Sequence, residues 1–298
     1  MTNVAVRLGI NPLTWTNDDM PSLGGDTPLE VCLAEAREAG YDGIELGGMF
    51  PRRAAELRPI LERHGLALVS GWYGAELLSR PVSDEIDAVA DHLALLAEMG
   101  CEVMVVCEVS GCVHGRREVP LSRRPRLDDD RWPAFGDALT ELAEHMGGRG
   151  VRMAYHHHMG TVVETDAEID RLMACTGPAV GFLLDTGHLT YAGGDPIAVA
   201  RRHAGRLVHV HCKDVRREVL ADARARDASF LDAVLAGVFT VPGDGCVDFA
   251  ALAGVLADGG YSGWLVVEAE QDPAIAHPLT YARMGFDGLS AALAAAGL

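Results

Sequence analysis

The chain has 298 residues, 49% hydrophobic and 23% charged, enough for one large α/β domain or two smaller ones. Its formal charge of −18 argues against nucleic acid as a partner, because nucleic-acid surfaces are built from clustered Lys and Arg, and fits a soluble, self-repelling surface. No stretch approaches ~20 uninterrupted apolar residues, and Met1 to Ile10 has neither a basic nor a long apolar segment, so the expectation is a cytoplasmic protein without a membrane span.

Apolar runs and helical periods alternate along the whole chain. Strands are predicted near 4–11, 43–47, 66–72, 102–108, 151–157, 180–185, 207–212 and 264–269. Between them, helices are predicted near 27–40, 54–64, 84–99, 130–147, 165–174, 195–204, 248–258 and 279–296. Glycines at Ala39-Gly40, His64-Gly65, Met99-Gly100 and Gly259-Gly260 stand where helices are expected to stop. Asp26-Thr27-Pro28 and Thr165-Asp166-Ala-Glu168 read as starts. Strand–helix units in this order predict a single-domain (β/α)₈ TIM barrel. Gly9-Ile-Asn-Pro12 lacks the glycine-rich turn that a doubly wound sheet would need. Two segments exceed ordinary loop length and are expected on the catalytic rim. They are 109–129 and 214–246, the latter with a helical stretch from Arg217 to Leu235.

Seven cysteines, an odd number without a CxxC pair, are expected to be reduced thiols, with Cys101, Cys107 and Cys212 in or beside strands.

Seven of the twelve histidines lie between 156 and 211. Six of these belong to Tyr155-His156-His157-His158, Asp185-Thr186-Gly187-His188 and His209-Val210-His211-Cys212-Lys213-Asp214, each tied to an apolar run, as is Glu268-Ala269-Glu270. A divalent-metal site needs imidazoles and carboxylates converging from separate rigid elements, and strand ends provide them. Because strand side chains alternate, His209, His211 and Lys213 share a face, as do His156 with His158 and Glu268 with Glu270. The expected ligands are a histidine from 156 or 158, with His156 preferred, and Asp185, His211 and Glu268. Such a mixed set suits Mn, Co, Fe or Zn better than Ca or Mg. Acid and base are sought among Lys213, His158 and Glu270. Lys213 is expected to have a lowered pKa beside the cation. His188, His209, Asn11, Trp15, Glu45, Trp72 and Glu108 are candidates for contact with a polar, oxygen-rich small molecule.

The same stretches, together with Gly9-Ile-Asn-Pro12, Gly43-Ile-Glu-Leu-Gly47, Asn17-Asp-Asp19 and Phe239-Thr-Val-Pro-Gly-Asp-Gly245, resemble the xylose-isomerase-like barrels of sugar isomerases, epimerases and endonuclease IV. Within them the pattern is most similar to the myo-inosose-2 dehydratases of inositol catabolism. His156-His-His-Met-Gly-Thr161 and Glu268-Ala-Glu-Gln-Asp-Pro273 are the most specific stretches. In the wider superfamily Glu, Asp, His and Glu hold the metal. Asp185, His211 and Glu268 match three of these positions, and histidine replaces the fifth-strand glutamate. The resemblance implies a Mn- or Co-dependent lyase acting on a polyol ketone, 2-keto-myo-inositol, with glutathione as a further cofactor. A homo-oligomer is compatible with it. Rivals are a sugar epimerase or isomerase with the same enediolate chemistry, a nuclease, and a non-catalytic sugar-binding barrel.

Overall fold

The computed structural model describes residues 6–298; Val4 and Ala5 of the first predicted strand lie outside the described residues. The strands are β1 (Arg7–Ile10), β2 (Gly43–Leu46), β3 (Ala67–Ala75), β4 (Val103–Glu108), β5 (Arg152–His156), β6 (Val180–Asp185), β7 (Leu207–Cys212), β8 (Asp214–Val215), β9 (Phe239–Thr240) and β10 (Trp264–Val267). Eight of them close a parallel barrel in the order β1-β10-β7-β6-β5-β4-β3-β2, with β1 paired to both β10 and β2. β8 and β9 form a separate antiparallel ribbon. The fold is the expected (β/α)₈ TIM barrel.

Several of the helices stop at glycine. Helix Leu29–Ala39 ends at Gly40, whose φ of 111° lets its N–H reach back to the carbonyls of Ala36 and Arg37. A Cβ at Gly40 would also strike the Phe286 ring. The capping box at Thr165 is present, with Glu168 bonded to the Thr165 backbone. Asp26-Thr27 does not cap its helix: Pro28 precedes Leu29, and Thr27 turns its hydroxyl to the Trp15 carbonyl instead.

Two hydrophobic groups plug the barrel's interior. Val69, Trp264 and Val266 form one, and Val103, Val105, Ala154 and Leu183 the other. Two residues further along the same strands stand His156, Asp185 and Glu268, so the two-residue period that buries the plug also aims these groups into the barrel's mouth. The helices pack outside against a larger apolar shell.

The predicted helix from Arg217 to Leu235 is two helices, Arg217–Ala225 and Phe230–Leu235. Asp227 breaks them at a φ of 48°, its carboxylate held by the Ser122 backbone and hydroxyl, and Ser229 caps the second. A satellite core under this segment joins Leu121 to Phe230 and Phe239. A short helix, Thr186–Ala192, follows β6 and is not among the predicted elements. All seven cysteines are free, and no helix among the described residues is long and apolar enough to cross a membrane.

Candidate metal centre

Asp185 has two tasks. It ends β6 and caps helix Thr186–Ala192, its Oδ1 accepting the His188 N–H at 2.7 Å. That fixes the carboxylate and leaves Oδ2 buried without a hydrogen bond. Oδ2 lies 3.5 Å from His156 Nε2 and 3.7 Å from His211 Nδ1. His211 Nδ1 in turn abuts Glu268 Oε2. Asp185, His211 and Glu268 each place one potential ligand atom within 4.8 Å of the others, and His156 forms a second such group with Asp185 and His188.

These atoms want a cation. Both ring nitrogens of His156, Asp185 Oδ2, His211 Nδ1 and Glu268 Oε2 are buried and lack hydrogen-bond partners. Each such orphan costs about 1–3 kcal/mol unless something coordinates it. Two imidazoles and two carboxylates suit a divalent transition metal, so the donor set fits the implied group.

Glu45, on β2, sits beneath His211. Its Oε1 lies 3.2 Å from His211 Nε2 and 2.9 Å from His209 Nε2, and accepts the Ser70 hydroxyl at 2.6 Å. Asn11 donates to Oε2 at 2.7 Å. Against the raising effect of burial, His211 and His209 hold the Glu45 carboxyl well below its ordinary value. A carboxylate only accepts, so Glu45 keeps a proton on His211 Nε2, while Nδ1 faces the carboxylates of Asp185 and Glu268. Against the lowering effect of burial, Glu268 and Glu45 hold the imidazole well above its ordinary value, and a cation at Nδ1 would take the place of its second proton.

Lys213 is fully buried, with Nζ 2.7 Å from Glu270 Oε2, 3.0 Å from Glu268 Oε1 and 3.1 Å from His188 Nε2. Burial lowers its ammonium, but Asp185, Glu268 and Glu270 more than offset this and hold it above the usual lysine value. That is opposite to the fall expected beside a cation, because three carboxylates surround it. Its stem crosses Gly187, where a Cβ would stand 2.4 Å from Lys213 Cγ. Burial and the Glu268 charge push the Glu270 carboxyl up to about 7, against the pull of Lys213.

The consecutive histidines divide the work. His157 accepts the Asp185 backbone N–H at 3.1 Å and so serves the scaffold. His158 points Nδ1 at the Met159 carbonyl, 2.8 Å away. That nitrogen must therefore carry the proton, leaving Nε2 with the lone pair. His156, His158, His211, Glu268 and Glu270 all border a cavity of about 130 Å³ at the barrel mouth, with Asn11, Glu45 and Trp72. His188 and His209 are buried just behind it.

Two candidates are not brought to the cavity. Trp15 is buried in the core and donates its ring N–H to Glu35 at 2.6 Å. Glu108 spends both oxygens on the backbone N–H groups of Leu77 and Ser110. Conversely, His114 and Asp19 line the cavity without having been singled out as site residues. Asp19 stands in the Asn17-Asp-Asp19 stretch and His114 in the long rim segment, and those were the only signals. A larger groove of about 520 Å³, bordered by Glu102 and Arg152, lies at the opposite end of the barrel and holds none of these groups.

Fold and site together define a TIM barrel with a candidate divalent-metal centre at the C-terminal ends of its strands. Residues 33–291 match the xylose isomerase-like TIM barrel family, and the chain belongs to it. It is 56% identical to the rhizopine catabolism protein MocC of Rhizobium meliloti, over 99% of this chain and 90% of that protein. It is 46% identical to an inosose dehydratase of Geobacillus thermodenitrificans, over 93% of this chain and 94% of the relative. Among solved structures, an L-ribulose 3-epimerase superposes with a TM-score of 0.70 at 19% identity, covering 98% of this chain and 96% of that one, a likeness of fold.

Proposed function

We propose that this protein is a metal-dependent hydro-lyase that removes water from 2-keto-myo-inositol, giving a deoxy trihydroxycyclohexane-1,2-dione. The observation that carries the reading is the convergence of four orphaned donors, from His156, Asp185, His211 and Glu268, beside the Lys213–Glu270 pair. Relatives at 41–46% identity are named inosose dehydratase, which supports the substrate.

A divalent cation, Mn or Co, held by His156, Asp185, His211 and Glu268 would supply a Lewis acid for the substrate's ketone and neighbouring hydroxyl. His158 Nε2, kept as a free lone pair by the Met159 contact, takes the proton from the carbon next to the ketone. The C–H electrons become a C=C bond as the β C–O bond breaks. Glu270, oriented by Lys213, gives its proton to the departing hydroxyl, which leaves as water. The α-hydroxyenone that remains tautomerises to the dione. Asn11, Glu45 and Trp72 wall the ring.

The test is direct. Mn-loaded protein with 2-keto-myo-inositol should develop dione absorbance, and Glu270→Gln should slow it about 10²–10⁴-fold while keeping its Mn. Interconversion of inosose isomers without dione would replace this reading with an epimerase. Repeating the assay without glutathione tests the cofactor that the family resemblance implies. The 56% relative named for rhizopine catabolism favours a second reading, the same chemistry on a compound of that route, so rhizopine belongs in the substrate panel.

A further inference from the structure

His114 and Asp19 reach the cavity from loops, not strands. His114 lies in the rim segment after β4, anchored where the Val113 N–H donates to the Gly160 carbonyl at 2.9 Å. Its ring packs on His158 with centroids 4.8 Å apart and stands edge-on to Trp72 at 6.4 Å and Phe230 at 6.5 Å. Asp19 comes from the loop after β1, its backbone N–H fixed on Asn17 Oδ1 at 2.9 Å. The side chains are 9% and 35% exposed, and His114 Nδ1 is buried without a partner.

The separation between them is the informative quantity. His114 Nε2 and Asp19 Oδ1 are 3.9 Å apart, too far for a hydrogen bond. Burial raises the Asp19 carboxyl and lowers the His114 imidazole, so neither is well compensated by the other. An oxygen placed off the line between them reaches both at ~2.8 Å, an ordinary hydrogen-bond length. An alcohol satisfies both at once, accepting from Nε2–H and donating to the carboxylate.

We infer that His114 and Asp19 form a hydroxyl clamp, a specificity contact that grips one ring hydroxyl of a cyclic polyol apart from the metal ligands. The inference rests on the reading of the cavity as a polyol-ketone site. A pocket built to hydrogen-bond a hydroxyl rejects an analogue lacking it, because its own polar groups are then stranded. The clamp therefore discriminates among polyols, and the proton transfers fall to other groups.

The experiment uses Mn-loaded full-length protein and myo-inositol, a polyol without the reactive ketone, as the calorimetric probe. His114→Ala and Asp19→Asn should each weaken binding about ten- to hundredfold, with Mn stoichiometry unchanged. His114→Gln, which keeps an N–H donor, should lose clearly less. In turnover of 2-keto-myo-inositol the same variants should raise KM by similar factors and lower kcat far less. Unaltered affinity in both variants overturns the clamp, as does failure of the wild-type protein to bind myo-inositol. Loss of Mn from both variants also overturns it, assigning the pair a structural role. Failure of the dehydratase reading is separate: wild-type protein would bind myo-inositol yet form no dione.

Discussion

At the scale of single residues, Glu45 holds His211 Nε2 and leaves Nδ1 turned toward Asp185 and Glu268. Glu45→Gln retains the size but removes the charge, and with its oxygen kept toward the imidazoles and Ser70 it loses the acceptor for Asn11. Its amide N–H₂ must face the Asn11 N–H₂ or, flipped, the two imidazole N–H groups. We expect Mn affinity, followed by equilibrium dialysis, to fall about 10–100-fold while the barrel stays folded. Asp185, His211 and Glu268 were legible in the sequence because each combines a metal-capable side chain with an apolar run. Glu45 could be placed on a strand but not given this partner, since His211 is 166 residues away along the chain. Trp15 and Glu108 show the converse. Each is a plausible pocket residue until a partner, Glu35 for one and two backbone amides for the other, consumes its polar atoms.

Among the elements, the eight barrel strands and the helices between them followed from alternation and glycine stops, to within a few residues at their ends. What escaped was short or tertiary in origin. Helix Thr186–Ala192 is too brief for a period to emerge and carries a glycine in its first turn. The β8–β9 ribbon is two residues on each side and exists only because the rim folds back on itself. The glycine in that short helix is explained by packing: Lys213's stem occupies the space a side chain would need. Gly187→Ala improves local helix propensity, yet must push either the helix or the lysine aside. The expected net result is a loss of about 1–3 kcal/mol in chemical denaturation. A kcat reduced at least tenfold should accompany it, as Lys213 leaves Glu270.

For the whole molecule, three carboxylates, Asp185, Glu268 and Glu270, crowd around one buried lysine in the interior of a chain that already carries −18. A dication held by the proposed ligands would relieve this crowding and would require the assembled site. Mn at a hundred times its Kd should therefore stabilise the fold by about 2.7 kcal/mol, visible as a Tm several degrees higher than with chelator. A Tm indifferent to Mn would rule out the ligand set. The donors also have an order of arrival. β5, β6 and β7 deliver His156, Asp185 and His211, but Glu268 follows β10, the strand that seals the cylinder against β1. Proteins leave the ribosome from the N-terminus, so a nascent chain has made His156, Asp185 and His211 well before Glu268. On the proposed ligand set, capture of an ion waits for the strand that closes the cylinder, and a product cut short before Glu268 could not complete the site.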